Sequence, residues 1–385
     1  MNYRDVENIE LSDILRTYWV SYCQKNRVSV YVNQVINSIC NCRTSNMGSH
    51  IEKCNNPDCD HYVIAHNSCR NRHCTKCLMS KQLKWVALRL KEMLPIPYYH
   101  VVFTQPDILH ALSLMNARVI YDLFFKATSY ALNKLSRDSR FLGAQLGFVG
   151  ILHTWGQTLN YHPHIHYIVT GGGLVGEKWI HLPYQHKFLF PVKSLSKLVR
   201  HRFLKLLKQA YSEGSIRFPG QISYLSNPKH FESYCKSLGR LSWYCYVKHP
   251  FSHGLRVLEY LGRYTHRVAI SNRRILSMDG GIIRFRYRDY RDDDKIKEMC
   301  LPYEIFIRRL LYHILPKGFR KIRHFGFFNT GFRSEKIKMI RKSLSLKVQE
   351  IEDEIEEWFD RMSCYMNHLC PVCHTGQIVF IYDSS

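Results

Sequence analysis

The sequence predicts a mixed α/β or α+β domain preceded by a small metal-stabilised module, on three observations. β-rich runs alternate with amphipathic helical stretches through the middle of the chain. Residues 42–80 are rich in Cys, His, Asn and Arg and poor in aliphatics, so they lack the apolar surface for a core of their own and need metal to hold them. The chain is 385 residues long with 45% hydrophobic composition, enough to bury a real core in two or three globular pieces.

In chain order, Ile9, Leu11, Ile14, Leu15, Tyr18, Trp19 and Tyr22 recur at helical spacing within residues 9–37, with Ser12 as the expected N-cap. The Cys-rich stretch follows, then a helix over 81–94 that Pro95 and Pro97 end. Residues 98–104 (YYHVVFT) read as a strand, 111–135 as a helix, and 147–155 and 164–170 as two strands. A basic helix is expected at 194–211, a strand at 241–247 and a short helix at 255–263. Two β runs flank Met278-Asp279-Gly280-Gly281, whose turn residues suggest a hairpin. A helix at 304–314 and one long amphipathic helix at 334–362 precede a tail holding Cys370 and Cys373.

Lys and Arg number 55 against 31 Asp and Glu, a net charge of +24, although residues 350–360 alone hold seven acids and no base. So large an excess implies an extended polyanion as partner, with nucleic acid first. An acidic small molecule would need only a local basic pocket, and no basic amphipathic anchor or apolar run of about 20 residues suits a membrane. Asp5, Glu7, Glu10 and Asp13 near the start do not fit a secretory signal, so a cytoplasmic location is expected.

Seven of the fourteen cysteines fall between Cys40 and Cys77, and such clustering in a reducing compartment reads as metal ligation. Cys54-x4-Cys59 and Cys74-x2-Cys77 have the spacing of a zinc ribbon closing one four-thiolate site. Cys42, His50, Cys69 and His73 remain for a second site, and Arg70, Arg72 and Lys76 among the ligands would offer positive charge to a phosphate backbone. In His162-Pro-His164-Ile-His166 strand alternation puts His164 and His166 on one face, where they can chelate one cation. Gln157 and His153 lie within hairpin reach as a third ligand, and Gln157 is favoured. Tyr260 and Tyr264, four apart, could address one point from a helix face or simply pack. In residues 284–288 Arg284, Arg286 and Arg288 alternate with aromatics, fitting either a sheet that tracks phosphates or a half-buried strand with a solvated face. Gly171-Gly-Gly-Leu-Val-Gly176-Glu177-Lys178 is not a phosphate loop, because Glu177 stands where the lysine belongs and no Ser or Thr follows to hold magnesium.

Taken in order, Cys42-Arg-Thr, Asn67-Ser-Cys-Arg-Asn-Arg-His-Cys-Thr-Lys-Cys77, His153-Thr-Trp-Gly-Gln-Thr-Leu, His162-Pro-His-Ile-His, Gly171-Gly-Gly-Leu and residues 260–274 (YLGRYTHRVAISNRR) resemble the two-tyrosine HUH rolling-circle transposases of bacterial insertion sequences, which carry an N-terminal zinc-binding domain. The resemblance covers roughly residues 42–328. The Cys54-x4-Cys59 knuckle is wider than the family's usual one, and Cys370-Pro-Val-Cys373 looks like its C-terminal half knuckle.

The resemblance implies an α+β fold, an HUH-type catalytic domain with a central antiparallel sheet flanked by helices. The expected division is a helical lead-in (1–45), a zinc-binding domain and linker helix (46–97), the HUH domain (98–330), and a long helix with a Cys-x2-Cys tail (331–385). It implies His164 and His166 as ligands of a catalytic Mg2+ or Mn2+, structural Zn2+, and Tyr260 and Tyr264 as nucleophiles that nick and rejoin single-stranded DNA through a 5′-phosphotyrosine. Arg263, Arg267, Arg273 and Arg274 would join Arg284, Arg286 and Arg288 on DNA. Without a nucleotide-hydrolysing motif, strand separation would fall to a host helicase and replication proteins, and a homo-oligomer is compatible with the pattern. Two other readings are a plasmid relaxase or replication initiator of the same chemistry, and a zinc-dependent DNA-binding regulator without catalysis.

Overall fold

The computed structural model describes residues 9–77, 85–86, 88–89, 92–182, 189–251, 269–329, 331–345 and 369–384. Tyr260, Tyr264, Arg263 and Arg267, the helix expected at 255–263, half of that at 81–94 and the second half of that at 334–362 lie outside the described residues.

The lead-in is two helices, α1 (Leu11–Lys25) and α2 (Val30–Cys40), joined at Asn26. Ser12 is not the cap of α1. Glu10 and Asp13 form a reciprocal capping box, and Ser12 sits buried one residue inside the helix. Ser29 starts α2 by accepting a hydrogen bond from the Val32 N–H at 3.3 Å. Strands β1 (Ser49–Cys54) and β2 (Tyr62–His66) form the antiparallel hairpin of the Cys-rich module.

Strand β3 (Tyr98–Thr104) follows. The helix expected at 111–135 is interrupted at Asn116 and becomes α3 (His110–Met115) and α4 (Ala117–Arg137). Strands β4 (Gly147–Trp155) and β5 (Tyr161–Thr170) follow as a hairpin, with β5 starting earlier than its apolar run suggests. The glycine-rich segment is a second hairpin, β6 (Gly172–Val175) and β7 (Lys178–His181). A Cβ at Gly172 would lie 2.5 Å from the Trp179 ring, so this glycine permits close packing. Helix α5 (Val192–Ser212) leads to α6 (Pro228–Arg240), an element outside the expectations, and to β8 (Cys245–Phe251).

A three-stranded sheet follows: β9 (Ile275–Ser277), β10 (Ile282–Asp289) and β11 (Lys295–Pro302), with β10 in the middle. The expected turn joins β9 to β10, with Gly280 and Gly281 at φ of 57° and 79°. Helix α7 (Tyr303–Leu311), β12 (Ile322–Gly326), α8 (Arg333–Ser343) and β13 (Ile378–Ser384) complete the described chain.

The central sheet has the order β12-β4-β5-β3-β8 with every neighbour antiparallel. Strand alternation gives it two unlike faces. Val101, Phe103, Phe148, Leu152, Ile165 and Tyr167 pack into a core with α3 to α6. On the other face Val149, Ile151 and Ile168 pack at one end against Trp179, Phe327 and α8. The histidines occupy the other end of that face. Near them α1, α2, α7, β10 and Cys42, Cys74 and Cys77 share another core. The last strand, β13, pairs antiparallel with β1 and makes a sheet of order β13-β1-β2.

Candidate active site and metal centres

The cysteines form two groups, and neither is the ribbon expected from spacing. Cys42, Cys69, Cys74 and Cys77 make one, and Cys54, Cys59, Cys370 and Cys373 make the other. Cys54 and Cys59 therefore do not share a site with Cys74 and Cys77, because pairing of β13 on β1 brings the C-terminal half knuckle to them. Sγ–Sγ distances are 3.4 Å for Cys42 and Cys77, 3.6 Å for Cys69 and Cys77, 3.6 Å for Cys54 and Cys373, and 3.7 Å for Cys59 and Cys370. A zinc tetrahedron with bonds of about 2.3 Å has edges of about 3.8 Å, so both sets fit Zn2+.

Backbone N–H groups support the thiolates, from Asn56 to Cys54 at 3.4 Å, Asn71 to Cys69 at 3.5 Å and Gly376 to Cys373 at 3.3 Å. Hydrogen bonding from Cys69 lowers the Cys74 thiol to about 5, and hydrogen bonds from Thr375 and Gly376 lower Cys373 to about 5. A Cβ at Gly376 would lie 2.3 Å from Cys54 Sγ, which explains the glycine.

His50 and His73 stand outside both groups. His50 bonds Asn67 Oδ1 at 2.8 Å and Glu52 Oε1 at 3.0 Å. His73 is packed away from water, and that burial pushes it down to about 3. Two of the three module cations expected on DNA are engaged within the protein. Arg72 donates to the Pro316 carbonyl at 2.7 Å and also to those of Leu315 and Phe319, and Lys76 pairs with Glu10. Arg70 is exposed at a φ of 51°.

The β4–β5 register sets His153 directly opposite His164, while β3 and β5 pair Val102 with His166. Ligand nitrogens of His153, His164 and His166 all lie within 4.8 Å of one another. Their ring centroids are 4.7 Å apart for His153 and His166, 4.7 Å for His164 and His166, and 5.5 Å for His153 and His164.

Neighbouring groups fix these rings. Nδ1 of His164 donates to the His162 carbonyl at 2.6 Å, which turns Nε2 toward the group. His166 Nδ1 and His100 Nε2 share a hydrogen bond of 2.8 Å, and Trp155 stacks on His153 at 4.7 Å. Burial pushes His164 down to about 4 and His166 well below its ordinary value, so the imidazoles are neutral, the form that ligates a metal. The donor set is three nitrogens on a rigid sheet with an open side, which accommodates a divalent cation.

Gln157, the favoured third ligand, lies in the turn after β4 and lines the same cavity, with its amide nitrogen 2.9 Å from the Tyr290 hydroxyl. His153 supplies the third nitrogen in contact with the pair. Arg274 holds that turn by donating to the Gln157 carbonyl and, at 2.7 Å, to the Arg286 carbonyl.

These residues open on a cavity of about 1130 Å³. Its walls also carry Tyr244, Tyr246 and Lys248 of β8 with its lead-in, and Arg274, Tyr287, Arg288, Tyr290 and Arg291. Tyr244, Tyr246 and Tyr290 are 61%, 46% and 67% exposed, an unusual outlay of aromatic surface. On β10, Arg284, Arg286 and Arg288 share the solvent face while Phe285 is buried against Phe306, and their nearest carboxylates, Glu298 and Asp294, stand off at 3.6 to 3.9 Å. Arg273 is exposed in the turn before β9. The aromatic residues of β8 and Tyr290 were not singled out by sequence, and the alternation Tyr244-Cys-Tyr246-Val-Lys248 was the available signal.

Comparison with known proteins gives a concordant result. A family model described as "Putative transposase" matches residues 147–336, and one described as "Transposase zinc-binding domain" matches residues 14–105. The chain is 38% identical over 380 residues to "Putative transposase y4qJ" of Sinorhizobium fredii, covering 97% of this chain and 94% of that protein. It is 28% identical over 311 residues to the "Transposase for insertion sequence element IS801" of Pseudomonas savastanoi pv. phaseolicola, covering 79% of this chain and 72% of that one. No solved structure matches. Among the described residues no helix is long and apolar enough to cross a membrane.

Proposed function

Because this chain belongs to the two-tyrosine HUH transposases of bacterial insertion sequences with an N-terminal zinc-binding domain, we propose that it nicks and rejoins single-stranded DNA at element ends through a 5′-phosphotyrosine. The observation that carries this reading is the convergence of His153, His164 and His166 on a cavity walled by cations and exposed aromatics. Bases stack on aromatic faces without regard to sequence, and arginines and lysines track the backbone, so Tyr244, Tyr246, Tyr290, Lys248 and Arg288 suit a single strand.

The nucleophiles are Tyr260 and Tyr264. The last described residues before them and the first after them that line the cavity are Lys248 and Ala269. A tyrosine oxygen attacks the scissile phosphorus, its proton passes to solvent, and the P–O3′ bond breaks, the departing 3′ oxygen taking a proton from solvent to leave a free 3′-OH. A divalent cation, Mg2+ or Mn2+, held by the three histidines would polarise the phosphate and offset the negative charge that develops in the transition state. Tyrosine has an ordinary pKa of about 10, so it gains from that positive centre at neutral pH. The phosphotyrosine keeps the phosphodiester energy, and an incoming 3′-OH displaces the tyrosine without ATP. With two tyrosines, one can hold an end while the other cleaves.

The test is denaturing electrophoresis of labelled single-stranded element ends incubated with zinc-loaded protein, with Mn2+, with Mg2+ or with neither. A covalent adduct that needs added metal and is lost in Tyr260→Phe/Tyr264→Phe is expected. Salt-sensitive binding with no adduct under any metal would instead establish the DNA-binding regulator.

A further inference from the structure

The geometry points to a second divalent-cation site, formed by Asp107, His110 and His162 beside the histidine triad and distinct from it. Asp107 lies in the short turn Asp107–Leu109, His110 is the first residue of α3, and His162 is the second residue of β5. A ligand atom from each lies within 4.8 Å of the other two.

An aspartate and a histidine three residues apart at a helix start would by themselves be an ordinary ion pair, here with 3.4 Å between His110 Nε2 and Asp107 Oδ1. The arrangement exceeds that pair because the sheet delivers His162 from fifty residues further along the chain to the same point. Two imidazoles and one carboxylate form a mixed nitrogen and oxygen donor set that suits Mn2+, Co2+ or Zn2+ better than Mg2+ and Ca2+.

The His110 ring packs edge-on against Tyr161 at 5.2 Å, which holds its imidazole in place, while the Asp107 carboxylate is exposed. His162 also lines the main cavity, with its ring centroid 5.2 Å from that of His164. A cation here therefore adds a second positive centre along one cavity wall.

Mn2+ titration of the zinc-loaded full chain without DNA, followed by electron paramagnetic resonance of the free ion, tests this. Two Mn2+ per chain are expected, falling to one in Asp107→Asn/His110→Gln and to one in His164→Ala/His166→Ala. Asp107→Asn alone, at an exposed position that folding does not need, should weaken one of the two sites at least tenfold. The inference is overturned if the Asp107 and His110 variants keep both ions, or if His164→Ala/His166→Ala abolishes all binding. It does not depend on the proposed cleavage chemistry. A chain whose one ion survives His164→Ala/His166→Ala but not Asp107→Asn would support this site and sink the triad, and the reverse would sink this site alone.

Discussion

Gly150→Ala should destabilise the catalytic domain out of proportion to one methyl group. Gly150 sits opposite Tyr167 in the β4–β5 register, and a Cβ there would lie 2.4 Å from Tyr167 Cε1 and 2.9 Å from Cζ. The ring has nowhere to go. It is fully buried, packed against Phe103, Phe148 and Phe325, and its hydroxyl shares a 2.8 Å hydrogen bond with Thr128 Oγ1. Overpacking of this kind costs about 1–3 kcal/mol, and disrupting the buried hydroxyl pair adds about 1–3 kcal/mol. The expected loss is about 2–6 kcal/mol, read as a lower urea midpoint by tryptophan fluorescence. Tyr167→Leu alone also destabilises by leaving a cavity, but in Gly150→Ala/Tyr167→Leu the methyl has room. The double variant should then be at least about 1 kcal/mol more stable than the two single losses predict. Strict additivity, or a Gly150→Ala loss under about 1 kcal/mol, would refute the clash and with it the register that faces His153 with His164.

Metal analysis of the purified chain should give two Zn2+, with Cys373→Ser and Cys74→Ser each lowering the count to one; a single zinc in the parent would contradict the two-group assignment. His153→Ala should weaken Mn2+ binding at the triad more than tenfold, measured by calorimetry, whereas Gln157→Ala should leave it within about threefold; the opposite order would return Gln157 to the first place. Burial, and then the Arg72 guanidinium, pulls the Lys321 ammonium down to about 8. The unfolded chain thus holds that proton more tightly, and this group's contribution to stability rises with pH between about 8 and 10.5, by up to about 1.4 kcal/mol per pH unit. Chemical unfolding across that range should be less pH-dependent in Lys321→Met, and an unchanged slope would show that the ammonium is hydrated.

Local patterns in the sequence were sufficient for the strands at 98–104 and 147–155, the turn at Gly280-Gly281 and the face shared by His164 and His166, because each depends on side-chain periodicity or turn chemistry over a few residues. The zinc partners were not legible in the same way. Cys54 and Cys59 are completed by Cys370 and Cys373 only through the β1–β13 pairing, and spacing along the chain carries no trace of a contact made across 300 residues. The choice between His153 and Gln157 beside the pair was open in the sequence for another reason. Both His153 and Gln157 are within hairpin reach of His164, and what separates them is the regular β4–β5 register, which pairs His153 with His164 and leaves Gln157 in the turn after β4. Helix α6 was readable, with Asn227 capping before Pro228 and Phe231, Tyr234, Cys235 and Leu238 forming a helical stripe. Arg72 shows the limit of charge counting, because a guanidinium amid zinc ligands can serve three carbonyls as readily as a phosphate.

The pairing of β13 with β1 has a consequence in time. Cys54 and Cys59 leave the ribosome more than 300 residues before the thiolates that complete their tetrahedron, Cys370 and Cys373. At about 5–20 residues per second the first pair waits on the order of 15 to 60 seconds for its partners. A chain cut short by premature termination or a frameshift upstream of Cys370 cannot close that site, whatever the state of its central sheet. Closure of the N-terminal module thus reports that translation has passed through the whole catalytic domain.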